Sequence, residues 1–227
     1  MTSALIISAI ISYLLGSLNF GIIISKSLSK DDVRSHGSGN AGSTNMLRNY
    51  GKKHAVMTII GDMLKVAVAI FISFVIVRKM GNISLAENGG ALILGIDARM
   101  FTKSFAGLFC VLGHIFPCFF GFKGGKGVAT SLGVVLMLDW KVGLIVAVVA
   151  IAVMAVTRYV SLGSILGGAM YIVIEIVKMI VTKSVDVIQL VCVVIIGGLL
   201  IARHHANIKR LLSGTENKLG AKKGEVK

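Results

Sequence analysis

Four short polar segments interrupt an otherwise apolar chain, and each carries residue types suited to holding an anion. The first reads Gly37-Ser38-Gly39-Asn40-Ala41-Gly42-Ser43-Thr44-Asn45, with Arg48 following. Glycine admits positive φ, so successive amides can turn into one concavity that receives an anion. The hydroxyls of Ser38 and Thr44 and the side-chain amides of Asn40 and Asn45 add donors. Arg48 offers a bidentate grip on a phosphate. A flexible linker is the plain alternative, but linkers do not usually interleave Asn, Thr and a following Arg in this way.

The second segment runs His114-Ile115-Phe116-Pro117 and then Gly121-Phe122-Lys123-Gly124-Gly125-Lys126-Gly127. It has some likeness to a nucleotide-binding P-loop. That loop, however, needs Ser or Thr where Gly127 stands, and a strand before it. What survives is a glycine turn holding Lys126, with Lys123 nearby, against a phosphate beside a helix N-terminus. A topology signal would explain the lysines alone but not the glycines around them.

The third segment is the short turn Arg158-Tyr159-Val160-Ser161, in which Arg158 either binds substrate or snorkels to lipid headgroups. The fourth closes the last apolar run: Arg203-His204-His205-Ala206-Asn207-Ile208-Lys209-Arg210, then Gly214-Thr215-Glu216. On a continuous helix, His204, Asn207 and Arg210 share one face and offer several donors together. Asp62 and Lys65, three residues apart inside an apolar run, read as an intrahelical pair that lowers the cost of charge in hydrocarbon, a structural role before a catalytic one. Cys110, Cys118 and Cys192 show no metal-ligand spacing and read as small buried hydrophobes.

The elements that must carry these segments are membrane helices. Of 227 residues, 55% are hydrophobic and only 15% charged, with a mean hydropathy of +0.86. A soluble domain carries roughly 25% charged residues. Each membrane helix needs about 20 mainly apolar residues to cross roughly 30 Å of hydrocarbon. Apolar runs at 3–26, 54–77, 104–121, 127–138, 142–157, 162–181 and 186–202 predict an all-α integral membrane protein of seven helices in one domain spanning 1–227. The fourth run is too short to cross alone and must tilt, borrow residues or sit re-entrant.

Orientation follows from the basic residues. With the N-terminus outside and the C-terminus cytoplasmic, 16 of the 24 Lys and Arg fall on the inner side, among them Lys222, Lys223 and Lys227 in the tail. That distribution obeys the positive-inside rule. All four polar segments then lie on the cytoplasmic face. The net charge of +14 accordingly reads as loops facing anionic headgroups and anionic substrates, not as a nucleic-acid surface.

Several chemistries are excluded by what is missing. No histidine is followed five residues later by Asp, so the H-x-x-x-x-D pair of acyl-CoA-dependent glycerolipid acyltransferases does not occur. There is no D-x-x-D array for Mg²⁺ and no G-x-S-x-G elbow. The remaining picture is a cationic, donor-rich site for phosphates at the membrane surface, with apolar surroundings for a lipid chain.

At these residues the sequence resembles the PlsY family, the acyl-phosphate:glycerol-3-phosphate acyltransferases of bacterial membranes. The resemblance runs from Gly16-Ser17-Leu18-Asn19-Phe20-Gly21 through Arg34, Gly37 to Asn40, Thr44-Asn45 and Arg48. It continues over His114 to Pro117, Gly121 to Gly127 and Arg158 to Ser161, and ends at His204, Asn207-Ile208 and Arg210-Leu211-Leu212. Any one motif is weak; the set, in order and spacing across nearly the whole chain, is specific. Two positions depart from the family pattern: Asn19 stands where many members have proline, and His205 where arginine is usual.

The resemblance implies seven helices and a cytoplasmic active site in the bacterial inner membrane. It implies transfer of a fatty acyl group from acyl phosphate to the 1-hydroxyl of glycerol 3-phosphate, the first step of phospholipid synthesis, with neither metal nor cofactor. By position it assigns Ser38, Arg48, Lys126, His204 and Asn207 to catalysis. Gly37, Gly39, Asn40, Thr44, Asn45, Lys123, Gly124, Gly125, Gly127, Arg158, Ser161 and Arg210 then surround the phosphates. Acyl phosphate is already activated, so the protein's task is orientation and stabilisation of the departing phosphate. The proton acceptor is either His204 or the donor's own phosphate. Neither acyl-chain preference nor oligomeric state is legible. The competing class is a transporter of phosphorylated solutes. That class places its site near the bilayer midplane and often repeats its halves, and neither is seen here. A non-catalytic lipid-binding scaffold is a weaker third.

Overall fold

The computed structural model of the chain describes residues 1–82, 92–93, 96–183 and 187–220. The tail lysines Lys222, Lys223 and Lys227 lie outside these. The described residues are overwhelmingly helical: α1 (Thr2–Ser17), α2 (Phe20–Ser29), α3 (Ser43–Met80), α4 (Ala98–Ile115), α5 (Val128–Leu138), α6 (Trp140–Thr157), α7 (Val160–Thr182), α8 (Val187–Arg203) and α9 (His205–Leu212). Two two-residue strands, β1 (Leu92–Ile93) and β2 (Ile96–Asp97), pair antiparallel just before α4.

Each apolar run falls on a helix, but not always on a single one. Four helical stretches are long and apolar enough to cross a membrane: Ser43–Met80, Ala98–Phe120, Trp140–Thr157 and Val160–Thr182. The pairs α1–α2, bent by 40°, and α8–α9, bent by 54°, raise the number to as many as six. α5 is an 11-residue apolar helix, short as its sequence implies.

The first run was expected to be one helix over 3–26; it breaks at Leu18 instead. Lys65 stabilises the break, its Nζ donating to the carbonyls of Gly16 and Leu18, both at 3.0 Å. Those carbonyls would otherwise be orphans at a helix end in an apolar setting. Asn19 then caps α2 by accepting from the Ile22 amide. A second difference lies in the first polar segment. α3 begins at Ser43, not near residue 54, and is broken at Gly51, where φ is 85°. Arg48 therefore sits on a helical turn before the kink.

The buried core follows from these elements. Val66 and Ile70 of α3 pack with Ala106, Cys110 and Val111 of α4, Val134 of α5 and Ile196 of α8. A second cluster joins α5 to α8 through Val135, Val142, Val146, Tyr171 and Val193. α1 and α4 approach backbone to backbone. A Cβ on Gly16 would collide with the Cys110 carbonyl, and one on Gly113 with that of Tyr13. Outward, Phe71, Val148, Ile151, Ile180 and Val181 are exposed, an apolar surface suited to lipid. Cys110 and Cys192 are buried as expected, whereas Cys118 is only half-buried.

Asp62 and Lys65 form the expected pair at 2.8 Å, in a larger buried knot. Lys65 Nζ also lies 2.9 Å from His114 Nδ1. The pair thus joins the end of α1, the middle of α3 and the end of α4.

Candidate active site

The glycine loop after α4 is built by close backbone approach. Gly124 and Gly125 donate to the carbonyls of Ile115 and His114, at 3.3 and 3.2 Å. A side chain on Gly124 would strike the His114 carbonyl, and one on Gly125 the His114 ring. Only glycine allows the chain to double back here. Gly127, at φ 83°, starts α5 without a side-chain cap, so Lys126 stands beside an uncapped helix N-terminus.

Lys126 Nζ donates to Asn207 Oδ1. The other end of that amide, Nδ2, donates to Glu216 Oε1 at 2.7 Å. Glu216 Oε1 also accepts from Ser161 Oγ at 2.8 Å, and Oε2 accepts from Arg210 Nε at 2.7 Å. Three polar segments and the tail therefore meet at one buried carboxylate. Burial presses the Glu216 carboxyl upward, but the donors Asn207, Ser161 and Arg210 outweigh it, so its pKa is lowered and it stays ionised. Lys126 is pushed down to about 8, first by burial, with Glu216 opposing and Arg210, Arg48 and Arg203 adding repulsion. Lys126 thus shares its surroundings with three guanidinium groups and one carboxylate, leaving an excess of positive charge.

His204 stands at the 54° bend between α8 and α9, not on a continuous helix face as its spacing suggested. The bend carries it inward to 3% exposure. Its Nδ1 lies 2.8 Å from the Leu200 carbonyl. A carbonyl only accepts, so Nδ1 carries the proton and Nε2 is left as the basic nitrogen. Burial, opposed by that hydrogen bond, lowers its pKa to about 4, which keeps the ring neutral.

The first polar segment is organised differently from expectation. Asn45 donates to the carbonyls of Val33 and His36 at 2.9 and 3.0 Å, and its Oδ1 accepts from the Ser38 amide at 3.1 Å. The Gly39 amide is taken by the His36 carbonyl at 3.0 Å. The amides of Ser38 and Gly39 are thus used inside the turn, and Asn45 is its internal brace. Gly37 and Gly39 do have positive φ, at 58° and 67°. Ser38 is left exposed. Arg34 ties this turn to the glycine loop by donating to the carbonyls of Phe120 and Lys123, at 2.8 and 3.0 Å.

Arg48 donates to the Asn217 carbonyl at 3.2 Å, and Arg158 to the Leu219 carbonyl at 2.8 Å. Both cations anchor the tail that delivers Glu216. Lys123 is exposed, its carbonyl held by Arg34. Two participants escaped the sequence reading. Glu216 is one of two acidic residues in a basic tail, and nothing in its neighbours marks it as a hub. Arg203 looked like a topology charge; it lies 5.8 Å from the centre of the Phe116 ring and contributes to the field on Lys126.

The described arrangement can do four things chemically. It gathers cations for phosphate, offers a neutral imidazole, buries the group that holds them in register, and opens on an apolar groove between α5, α6, α7 and α8. Val128, Ser164 and Leu200, each within a turn of Lys126, Ser161 or His204, line that groove.

Comparison with known proteins points to one family. A family model described as glycerol-3-phosphate acyltransferase matches residues 6–214. A glycerol-3-phosphate acyltransferase of Clostridioides difficile is 41% identical over 220 residues, covering 96% of this chain and 97% of the relative. One from Thermoanaerobacter pseudethanolicus is 40% identical over 217 residues, covering 96% of each. Among solved structures, PlsY, an integral membrane glycerol 3-phosphate acyltransferase, in its glycerol 3-phosphate form matches with a TM-score of 0.77 at 38% identity. That match covers 95% of this chain and 96% of the other. Its lysophosphatidic acid form matches with a TM-score of 0.74 at 38% identity, covering 95% of each chain.

Proposed function

This chain belongs to the glycerol-3-phosphate acyltransferase family, and from that premise we propose that it moves a fatty acyl group from acyl phosphate to the 1-hydroxyl of glycerol 3-phosphate. The hydroxyl oxygen attacks the acyl carbon, an ester bond forms, and the bond from that carbon to the phosphate oxygen breaks. Phosphate leaves with the electron pair, and the hydroxyl proton goes to His204 Nε2 or to the departing phosphate itself. The products are lysophosphatidic acid and inorganic phosphate. Lys126, Arg48 and Arg210 hold the two phosphate groups, with Ser38 at the rim. Neutralising the leaving phosphate in a partly dehydrated site supplies the main electrostatic contribution.

One observation carries this reading. The cations collect at one end of the helix bundle, at the mouth of an apolar groove, so a head carrying phosphate and a hydrocarbon tail are accommodated by contiguous surfaces. The glycerol 3-phosphate and lysophosphatidic acid forms of the PlsY structure support the same substrate and product. The excess of Lys and Arg beside the site supports a cytoplasmic orientation in the bacterial inner membrane, with N-terminus outside and C-terminus inside. On this reading the whole chain is one domain of seven membrane-crossing segments, the short α5 crossing with the help of tilt and its flanking residues.

The test is direct. Purified protein given palmitoyl phosphate and glycerol 3-phosphate forms lysophosphatidic acid and releases one phosphate per ester. A protein that instead exchanges labelled glycerol 3-phosphate across vesicles, without ester formation, belongs to the competing transporter class.

A further inference from the structure

The groove that begins at the cationic cluster has a definite end. Its cavity volume is about 110 Å³, and it opens along the flank of Ile151, which faces the surroundings. Its deepest lining residues on three walls are Val135 of α5, Val146 of α6 and Tyr171 of α7. Beneath them lies packed core, where Val142 and Val193 join the same three side chains in one cluster. The groove is therefore stopped by side chains and does not continue through the bundle.

Tyr171 is the largest of the three and is 3% exposed. Its hydroxyl is buried with no hydrogen-bond partner among the described residues. A buried tyrosine ordinarily finds such a partner. The ring here is accordingly placed by shape, and its hydroxyl contributes nothing that a phenyl ring would lack. The depth is set by helix geometry. Ser161, at the cationic end, and Tyr171 lie ten residues apart on α7, about 15 Å along its axis. That is half of the roughly 30 Å hydrocarbon core, the depth to which one leaflet's acyl chains reach.

We propose that Tyr171 is the gauge that sets the length of the acyl chain the enzyme accepts, closing the groove one leaflet below the phosphates. The proposal rests on the acyl-transfer reading above. A chain that ends at the ring is fully covered; each further methylene must turn out of the groove past Ile151 and forfeits burial worth about fourfold in binding.

The experiment compares lauroyl, palmitoyl and arachidoyl phosphate as donors at fixed glycerol 3-phosphate, by kcat/KM, for the wild type and three variants. Tyr171→Ala lengthens the groove and raises the arachidoyl-to-palmitoyl ratio at least about tenfold, an effect of a few added methylenes. Tyr171→Phe leaves the profile unchanged. Ala147→Leu adds bulk on a partly exposed deep wall position, lowering the palmitoyl-to-lauroyl ratio; it decides the matter should Tyr171→Ala fail to fold. An active wild type whose ratios stay flat across the folded variants overturns the gauge and leaves the acyl-transfer reading standing. A changed profile in Tyr171→Phe also overturns it, by assigning selectivity to the hydroxyl. A wild type inactive on every donor overturns the acyl-transfer reading itself, and the gauge with it.

Discussion

The side-chain amide of Asn207 bridges Lys126 and Glu216, accepting from the ammonium through Oδ1 and donating to the carboxylate through Nδ2 at 2.7 Å. A cation from the glycine loop and an anion from the tail are thereby held at a fixed separation without touching. Were they in direct contact, each would neutralise the other and the lysine would be lost to phosphate. The amide keeps the two charges in register and leaves the ammonium's other hydrogens available.

Glu216→Gln tests whether the carboxylate assembles the site. Gln can still accept from Ser161 and Asn207, but its amide nitrogen turns a donor toward Arg210 Nε, and four cations then face each other without a counter-charge. The variant is expected to unfold at lower temperature in detergent, by about 1–3 kcal/mol for a partly exposed charge-assisted network, and to lose most activity. Wild-type stability together with wild-type rate would show that Glu216 is a bystander.

The donor is tested by thioester substitution. On the proposed reading the cations gather where a phosphate leaves, and the chain contains no H-x-x-x-x-D pair. Palmitoyl-CoA is expected to give no product under conditions where palmitoyl phosphate turns over. Comparable rates with both would mean that the leaving group is not what the cations recognise.

Lys126 and Lys123 separate chemistry from topology. Lys126 reaches Asn207 in the interior of the cluster, whereas Lys123 is exposed and contributes a carbonyl to Arg34. Lys126→Gln is expected to insert and fold normally but to slow turnover roughly ten- to a hundredfold, the loss of one charge-assisted contact. Lys123→Gln stays within a few-fold of wild type. Equal losses in the two variants, measured as initial rates on monodisperse protein, would return the loop to a topology signal.

Much of this was legible because the side-chain types that bind phosphate are also the types that membranes exclude. Lys126, Ser161, His204, Asn207 and Arg210 stand out against apolar neighbours, and the apolar runs mark the helices that carry them. The breaks were not legible. Nothing in residues 3–26 announces that Lys65 will take the carbonyls of Gly16 and Leu18, 49 and 47 residues before it, where α1 ends. Asn45 shows a different limit: its type suggested a ligand contact, and its type alone does not announce that its bonds to Val33, His36 and Ser38 brace the turn. Glu216 was named with the fourth segment but given no role, because a carboxylate in a basic tail acquires meaning only when the tail folds back.

The pH dependence follows from Lys126. Burial and the nearby guanidinium groups lower its pKa to about 8, against about 10.4 for a free lysine. On the proposed reading the charged form binds phosphate, so activity is expected to hold below pH 8 and to fall as the ammonium discharges above it. An ordinary exposed lysine would carry the rate more than two units further. On the acid side His204, with a pKa of about 4, remains neutral. The fall there reports instead the second ionisation of substrate phosphate near pH 6. The measurement is kcat/KM from pH 5 to 10 for the wild type and for Lys126→Arg, which cannot discharge in that range. The alkaline limb is expected in the wild type and absent from the arginine variant at whatever residual rate it retains. A wild-type rate that stays level to pH 10 would remove Lys126 from the phosphate site.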